Sequence, residues 1–358
     1  MYKYDSEKIV FLDRKDDDGF DRTIQKYLEE IKMIEEPSNL LFNLTMDVEA
    51  FGIDDFYSNH STNVQVIERL VYSDFGHGSD IENLLIKNKV PCTYFIESYT
   101  KQWQSEQMYS DAVRFFEKPY TEVGLHCHAF SLSEELKRDL GLPFDWNMQH
   151  DQLSKVFGWG KQRMEAALNN KVEVTSYRSG RLDIYPDMEF ALLNAGFKVD
   201  SSLLDGVQSY YYDKRPANLG NGIFSYNGLT QIPITGFRAA ERVRSLDFNG
   251  ATFAEICEVI VQALKQGLPC LTLIMHSWSF SNVCQLNDFG KMLHYKSNPL
   301  LVQKFEKLLE FLNAIPNVQL STIKDTATRL KRNPVSGFSA ELINTKPTLL
   351  KVLSWREG

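Results

Sequence analysis

Residues 40–49 read LLFNLTMDVE, an apolar run that ends in two carboxylates. The length of residues 40–48 and their Leu and Phe content predict a β-strand. The same theme recurs along the chain, because short β-type runs alternate with stretches of helical periodicity. Further strands are expected at 90–97, 121–128, 174–179, 198–203, 229–235, 268–276 and 317–325, and helices at 80–89, 109–118, 150–170, 186–197, 252–267 and 299–315.

Strands that alternate with helices in this way indicate a parallel sheet joined by helical crossovers. A barrel of this kind needs a strand roughly every 30 to 40 residues, and the observed spacing meets that need. The sequence therefore favours an α/β barrel, with an open doubly wound sheet as the alternative. The expected organisation is an N-terminal extension at 1–38 with one helix, the barrel at 39–330 and a C-terminal tail at 331–358.

The composition excludes several classes of protein. The 358 residues are 43% hydrophobic and 24% charged, which is typical of a soluble globular protein. A net charge of −8 without a basic run disfavours a nucleic-acid partner. No apolar stretch approaches the roughly 20 residues of a transmembrane segment, and the charged N-terminal sequence is unlike a secretory signal, so a cytoplasmic location is expected. Five scattered cysteines without a Cys-x-x-Cys pair predict neither a disulfide framework nor a zinc ribbon.

The titratable residues fall at the carboxyl ends of the expected strands. In a parallel barrel these ends share one face, which is where active sites lie. The residues concerned are Asp47, Glu49, His126, His128, Arg178, Asp200 and His276.

His126 and His128 are the first candidates for a metal site. On an extended segment alternate residues face the same side, so both imidazoles can reach one ion. A carboxylate from a neighbouring strand end, Asp47 or Glu49, would complete a three-ligand site. The alternative is a pair of hydrogen-bonded histidines that close a strand.

The carboxylates and the last histidine also have two interpretations each. Asp47 and Glu49 face the same side, so one can bind the ion while the other takes a proton from water; alternatively they form a solvated acidic strand end. His276 closes an apolar run, where a lone histidine is often a core residue. A catalytic role for His276 depends on a partner such as Asp200, which could orient the imidazole.

Taken in order, five short segments resemble the motifs of the NodB-homology polysaccharide deacetylases, carbohydrate esterase family 4. The resemblance extends from about residue 40 to about residue 328, and it is similar to a subgroup associated with lipopolysaccharide and O-antigen synthesis. The segments are TMDVE (45–49), EVGLHCH (122–128), YRSG (177–180), VDSS (199–202) and LIMH (273–276).

The resemblance implies a distorted (β/α)7 barrel of the NodB-homology type. It also implies metal-dependent removal of an acetyl group from an N-acetylated sugar in surface polysaccharide biosynthesis. Zinc is the expected ion, with cobalt, nickel or manganese as alternatives. The implied roles are Asp47 as general base, Arg178 as the residue that holds it, His276 as general acid, Asp200 as the partner of His276, and His126 and His128 as metal ligands.

Two positions depart from the family pattern. Val48 stands where the family has its second aspartate, a metal ligand, so Glu49 is expected to replace it. The family's second histidine lies four residues after the first, but Phe130 occupies that position here. The resemblance therefore implies that His128 is the second histidine ligand.

Other functions are compatible with the same pattern. A deformylase, or a hydrolase of another C–N amide, would keep the fold and the metal but change the acyl group or substrate. A degenerate barrel could bind sugar without hydrolysing it. A glycosidase using Asp47 and a second carboxylate would leave both histidines and Arg178 without roles.

Overall fold

The computed structural model describes residues 17–49, 79–99, 103, 105–143, 148–204, 221–239, 242–283, 295–330 and 343–345. Within these segments, no helix is both long enough and apolar enough to cross a membrane. The helices are α1 (Asp17–Lys32), α2 (Glu106–Phe116), α3 (Glu134–Asp139), α4 (His150–Ala167), α5 (Met188–Asn194), α6 (Phe253–Gln266), α7 (Pro299–Asn313) and α8 (Ile323–Leu330). The strands are β1 (Leu40–Val48), β2 (Thr93–Glu97), β3 (Glu122–Cys127), β4 (Ser176–Ser179), β5 (Val199–Asp200), β6 (Phe224–Tyr226), β7 (Leu229–Gln231), β8 (Gly236–Ala239), β9 (Arg242–Ser245), β10 (Cys270–His276), β11 (Ser281–Val283), β12 (Tyr295–Ser297), β13 (Val318–Ser321) and β14 (Ile343–Thr345).

One sheet of nine strands dominates the fold. Seven strands pair in parallel in the order β10-β1-β2-β3-β4-β5-β7, and β6 adds an antiparallel edge to β7. β13 shares an edge of β1 with β2, since it pairs with the first half of β1 while β2 pairs with the second half. The predicted alternation of strands and helices is therefore confirmed.

The segment after β7 brings the two sides of this sheet together. The amide of Ile234 donates to the carbonyl of Leu203, beyond β5, at 2.8 Å. The next amide, that of Thr235, donates to the carbonyl of Thr272 in β10 at 3.1 Å. One short segment thus contacts both sides, so the sheet curls into the predicted distorted barrel. The open doubly wound alternative is wrong.

Local sequence signals account for the helices around the barrel. Thr252 caps α6 by accepting from the amide of Glu255, whose side chain bonds back to the amide of Thr252. Gly267 ends the helix in the left-handed conformation, at φ 71°. The expected N-terminal helix is present as α1, which packs on α6 through Phe20 and Phe253 at 5.0 Å between ring centroids. The domain limits at 38/39 and 330/331 stay predictions.

The structure also departs from the expected elements. The strand expected at 317–325 ends at Ser321, because the hydroxyl of Thr322 accepts from the amide of Asp325 and so begins α8. The antiparallel pair β8 and β9 was not expected, and β14, from the predicted tail, pairs in parallel with β8. Where a helix was expected at 80–89, the structure has a π-helical turn at Glu82–Ile86.

Candidate metal centre

β1 and the residue after it bring Asp47 and Glu49 to the interior of the barrel. Along this strand the polar residues Asn43, Thr45 and Asp47 alternate with apolar ones, and both sets are buried. Because side chains alternate between the faces of a strand, the polar set shares one face, and Glu49 continues it just beyond the strand. Asp47 and Glu49 therefore face the same side, as the sequence predicts.

Strand register places the other candidates at the same end of the barrel. Asp47 is paired with His276 across β1 and β10. His126 is paired with Arg178 across β3 and β4. Tyr177, just before Arg178, is paired with Asp200 of β5. The carboxyl-end pattern read from the sequence thus corresponds to one face of the folded molecule.

Glu49, His126 and His128 converge on one point. The Nε2 atoms of His126 and His128 lie 3.0 and 2.6 Å from the same oxygen, Oε2 of Glu49. Their potential ligand atoms all lie within 4.8 Å of one another. Within the described part of the chain, no other group of three His, Cys, Asp or Glu residues is close enough to share an ion.

The histidine orientation fits a metal ligand. Nδ1 of His126 lies 3.1 Å from the backbone carbonyl of Arg178, which can only accept, so Nδ1 donates. In a neutral imidazole this leaves the lone pair of Nε2 directed at Glu49. Metal-binding histidines commonly have such a carbonyl on the other nitrogen, because it sets the tautomer. Two imidazole nitrogens and a carboxylate form a donor set suited to a divalent transition metal.

The pKa shifts reflect opposite charges that lie close together in this cluster. Burial alone would raise the pKa of Glu49, but the adjacent His128 and His126 hold it well below its usual range. Burial alone would lower the pKa of His126, but the negative charges of Asp47 and Glu49 raise it above its usual value. The Glu49 carboxylate and the two imidazoles therefore stabilise each other's charged forms.

Gly180 makes room for the second histidine. A Cβ atom at this position would lie 2.3 Å from Cγ of His128 and 2.5 Å from its Nδ1. The imidazole therefore rests directly on the backbone of residue 180, in space that any larger residue would fill. Gly180 therefore leaves the space from which the His128 imidazole reaches Glu49, which supports the fit of His128 as a ligand.

The segment after β5 supports this turn. Oδ1 of Asp200 accepts from the amide and hydroxyl of Ser202. The hydroxyl of Ser202 in turn accepts from the amide of Ser179, at 2.9 Å, directly before Gly180. These hydrogen bonds link Asp200 to the turn under His128. The role of Asp200 as the partner of His276 stays a prediction.

Arg178 is fully buried and holds Asp47. Its Nη1 donates to Oδ1 of Asp47 and to the hydroxyl of Thr45, both at 2.8 Å. Nε and Nη2 donate to the carbonyl and hydroxyl of Ser201. The guanidinium also lies 4.2 Å from the ring centroid of Phe95. Such a fork of fixed donors orients one face of the Asp47 carboxylate and leaves the other oxygen for chemistry.

His276 lies near Oε1 of Glu49, the carboxylate oxygen that His126 and His128 do not contact. Its Nε2 is 3.8 Å from Oε1 of Glu49, and its ring stacks on Trp278 at 4.5 Å between centroids and 17° between planes. The carboxylate that faces its Nδ1 is Asp247, at 4.0 Å. Asp247 follows β9 and is held in place because its Oδ1 accepts from the amide of Gly250.

Three residues of the site were not singled out from the sequence. Glu97 ends β2 at the same level and accepts from the amide of His128 at 3.1 Å; its position at a strand end was an available signal. Gly180 lies in the YRSG segment (177–180), where a glycine can indicate that another group approaches the backbone closely. Asp247 follows an antiparallel hairpin that the sequence pattern did not reveal, so no signal pointed to it.

Comparison with known proteins supports the fold. A Mycobacterium smegmatis protein named as a polysaccharide deacetylase matches with a TM-score of 0.50 and 14% identity, over 88% of this chain and 95% of that one. The chain shares that protein's fold. A carbohydrate esterase domain of a xylanase from the hindgut metagenome of Trinervitermes trinervoides matches with a TM-score of 0.38 and 12% identity, over 83% and 94%. A Bordetella bronchiseptica protein named as a polysaccharide deacetylase involved in O-antigen biosynthesis matches with a TM-score of 0.33 and 12% identity, over 91% and 94%. These last two scores add nothing to the fold assignment.

No protein-family model matches the chain, and no curated protein matches it in sequence.

Proposed function

We propose that the protein is a metal-dependent hydrolase that removes the N-acetyl group from a sugar. The observation that carries this proposal is the convergence of Glu49, His126 and His128 at the strand ends where Asp47 and His276 are paired. Three ligands of this type leave further coordination positions open, as in catalytic rather than structural metal sites. A buried base and a half-buried acid beside such a site are what amide hydrolysis requires.

The metal would be held by Glu49, His126 and His128. When bound, a divalent ion supplies Lewis acidity, which polarises the amide carbonyl and makes a neighbouring water more acidic. Zinc is the proposed ion, with cobalt, nickel or manganese as alternatives.

Asp47 and His276 would move the protons. Asp47, fixed by Arg178, accepts a proton from the attacking water as the water oxygen bonds to the carbonyl carbon. His276 donates a proton to the amide nitrogen as the C–N bond breaks, so that acetate and a sugar amine leave. Asp247 faces Nδ1 of His276 at 4.0 Å and would orient the imidazole from that side. Asp200 acts through Ser202 on the turn under His128.

The identity of the substrate and the cellular location stay predictions. The polysaccharide would be a lipopolysaccharide or O-antigen intermediate, and the location cytoplasmic. Removal of a formyl group, or hydrolysis of another C–N amide, would use the same residues and differ only in the product.

The direct test is metal content together with product analysis on the full chain. We expect about one divalent ion per chain after reconstitution, and acetate release from N-acetylglucosamine oligosaccharides that depends on this ion. Glu49→Gln should lower metal affinity by at least ~10–100-fold, since even weaker perturbations of metal sites have that effect. Glu173→Gln is the matched control, because Glu173 is an exposed carboxylate that pairs with Lys198.

Three outcomes separate the functions. Formate instead of acetate identifies a deformylase. Bound metal without release of any acid from sugar amides contradicts the hydrolase. A protein that takes up no divalent ion, and in which Glu49 and His128 are replaceable without effect, is a sugar-binding barrel.

A further inference from the structure

Glu49, the carboxylate of the candidate metal centre, lies just outside the strand that carries it. β1 ends at Val48, and its last pairs with the neighbouring strands are Val48 with Ile96 and Asp47 with His276. The backbone of Glu49 is therefore one residue beyond these pairs. Both imidazoles of the centre nevertheless converge on one oxygen of its side chain, so its position has to be fixed by another contact.

Ser277 supplies this contact from the chain that follows β10. Its amide donates to the carbonyl of Asp47 at 2.9 Å, which extends the pairing of β1 and β10 by one hydrogen bond. Its hydroxyl donates to the carbonyl of Glu49 at 2.8 Å. Ser277 is fully buried. One residue thus holds the main chain at both carboxylates, the proposed base and the proposed ligand.

A turn explains why a hydroxyl takes this role. Donor amides along one side of a strand are two residues apart, so a longer β10 would direct the amide of Ser279 at the carbonyl of Glu49. The amide of Ser279 donates instead to the carbonyl of His276 at 2.9 Å, and the Ser279 hydroxyl accepts from the amide of His276 at 2.8 Å. The chain therefore turns away from β1, and the Ser277 hydroxyl takes the place of the next ladder bond.

We infer that Ser277 is a positioning residue that fixes Glu49 for metal binding. This inference rests on the proposed metal centre and deepens it, because it names the group that holds the ligand expected to replace the family's second aspartate. The hydroxyl is directed at the main-chain carbonyl, so it acts through Glu49 and not on the ion itself. Partners that orient metal ligands typically contribute about 10–100-fold to metal affinity.

The test measures zinc affinity by calorimetry on the metal-free full chain. Ser277→Ala removes the hydroxyl and keeps the amide that donates to Asp47. We expect this variant to bind zinc about tenfold more weakly than the unmodified protein, with its fold retained.

Ser321→Ala is the matched control. Ser321 is also buried, and its hydroxyl also donates to a backbone carbonyl, that of Thr322. It lies on β13, which pairs with the first half of β1, away from Glu49. This control should bind zinc as tightly as the unmodified protein.

A double-mutant cycle separates positioning from a general loss of stability. In a protein that already carries Glu49→Gln, Ser277→Ala should weaken zinc binding by less than about twofold, because the ligand that it positions has already been replaced. Bound cobalt(II) gives a second readout, since its visible absorption depends on the geometry of its ligands. The spectrum should change in Ser277→Ala and stay unchanged in Ser321→Ala.

The outcomes distinguish this inference from the proposed function. A loss of zinc affinity in Ser277→Ala that disappears in the Glu49→Gln background supports the inference, even where no sugar amide releases acetate, a result that contradicts only the hydrolase. Acetate release together with unchanged zinc affinity in Ser277→Ala supports the hydrolase and overturns the inference. Equal losses in both backgrounds, an equal loss in Ser321→Ala, or an unmodified protein that takes up no divalent ion also overturns it.

Discussion

Replacing Gly180 by alanine should remove His128 from the metal site. The added Cβ would lie 2.3 Å from Cγ of His128, whereas ordinary van der Waals contact begins at 3.4 Å. The imidazole must therefore move by about 1 Å. Ligand distances in metal sites are held within about 0.2 Å, so a shift of this size breaks the contact.

The expected loss follows from this displacement. A site reduced from three protein ligands to two should bind its ion at least ~100-fold more weakly, which is about 2.7 kcal/mol. The backbone itself does not require glycine at this position, since Gly180 is not among the residues with positive φ. Folding should therefore lose only the cost of the crowded contact, about 1–3 kcal/mol.

Metal affinity measured by calorimetry on the apo-protein is the deciding assay. Gly158→Ala is the control, because Gly158 lies within α4 and an added Cβ there meets no atom within 4 Å. This control should bind metal normally and gain up to about 1 kcal/mol in stability, as expected for alanine in a helix. The fold of each variant is checked on samples from which a chelator has removed the metal. A folded Gly180→Ala protein with unchanged metal affinity would refute the reasoning.

Three further predictions concern other parts of the barrel. Asp47→Asn should lower kcat about 10²–10⁴-fold while metal content stays unchanged, because the amide oxygen still accepts from Arg178 but cannot take a proton; equal loss of metal would contradict this separation of roles. Asp247→Asn should lower kcat about tenfold with KM unchanged, since it removes the charge facing His276 but can keep the turn contact to Gly250; a change in KM alone would argue against it. Burial raises the pKa of Glu122 above its ordinary 4.5, so the contribution of Glu122 to the free energy of unfolding falls as pH rises from 4.5 through the raised value. Urea unfolding at several pH values should show this fall in the free energy of unfolding, and Glu122→Gln should lack it. The same pH dependence in both proteins would show that Glu122 does not titrate as described.

The positions of the main strands could be predicted because they depend on local sequence. The run at 40–48 forms a strand with the same limits, and its alternation of polar and apolar residues determines that Asp47 faces the barrel interior. β10 ends at His276, as expected. These features follow from side-chain alternation and from the apolar length of each run, which contacts with distant residues do not change.

The antiparallel additions could not be predicted in the same way. β8 and β9 are only four residues each, and their pairing joins segments whose apolar content is unremarkable in the sequence. Asp247 reaches His276 because the chain after this hairpin bonds alongside β10, with the amide of Phe248 donating to the carbonyl of Ile274. Such a path depends on tertiary hydrogen bonds, so periodicity does not reveal it.

By itself the sequence determined which chemical groups stand at the carboxyl ends of the strands, and the parallel order of those strands brings the groups to one face. Only the tertiary structure decided which of them touch. It directs His126 and His128 to one oxygen of Glu49, faces Asp247 towards His276, and gives His128 its space over Gly180. The physical reason is that side-chain type and strand face are local properties, whereas a contact of 3 Å depends on register, twist and turn geometry summed over the whole barrel.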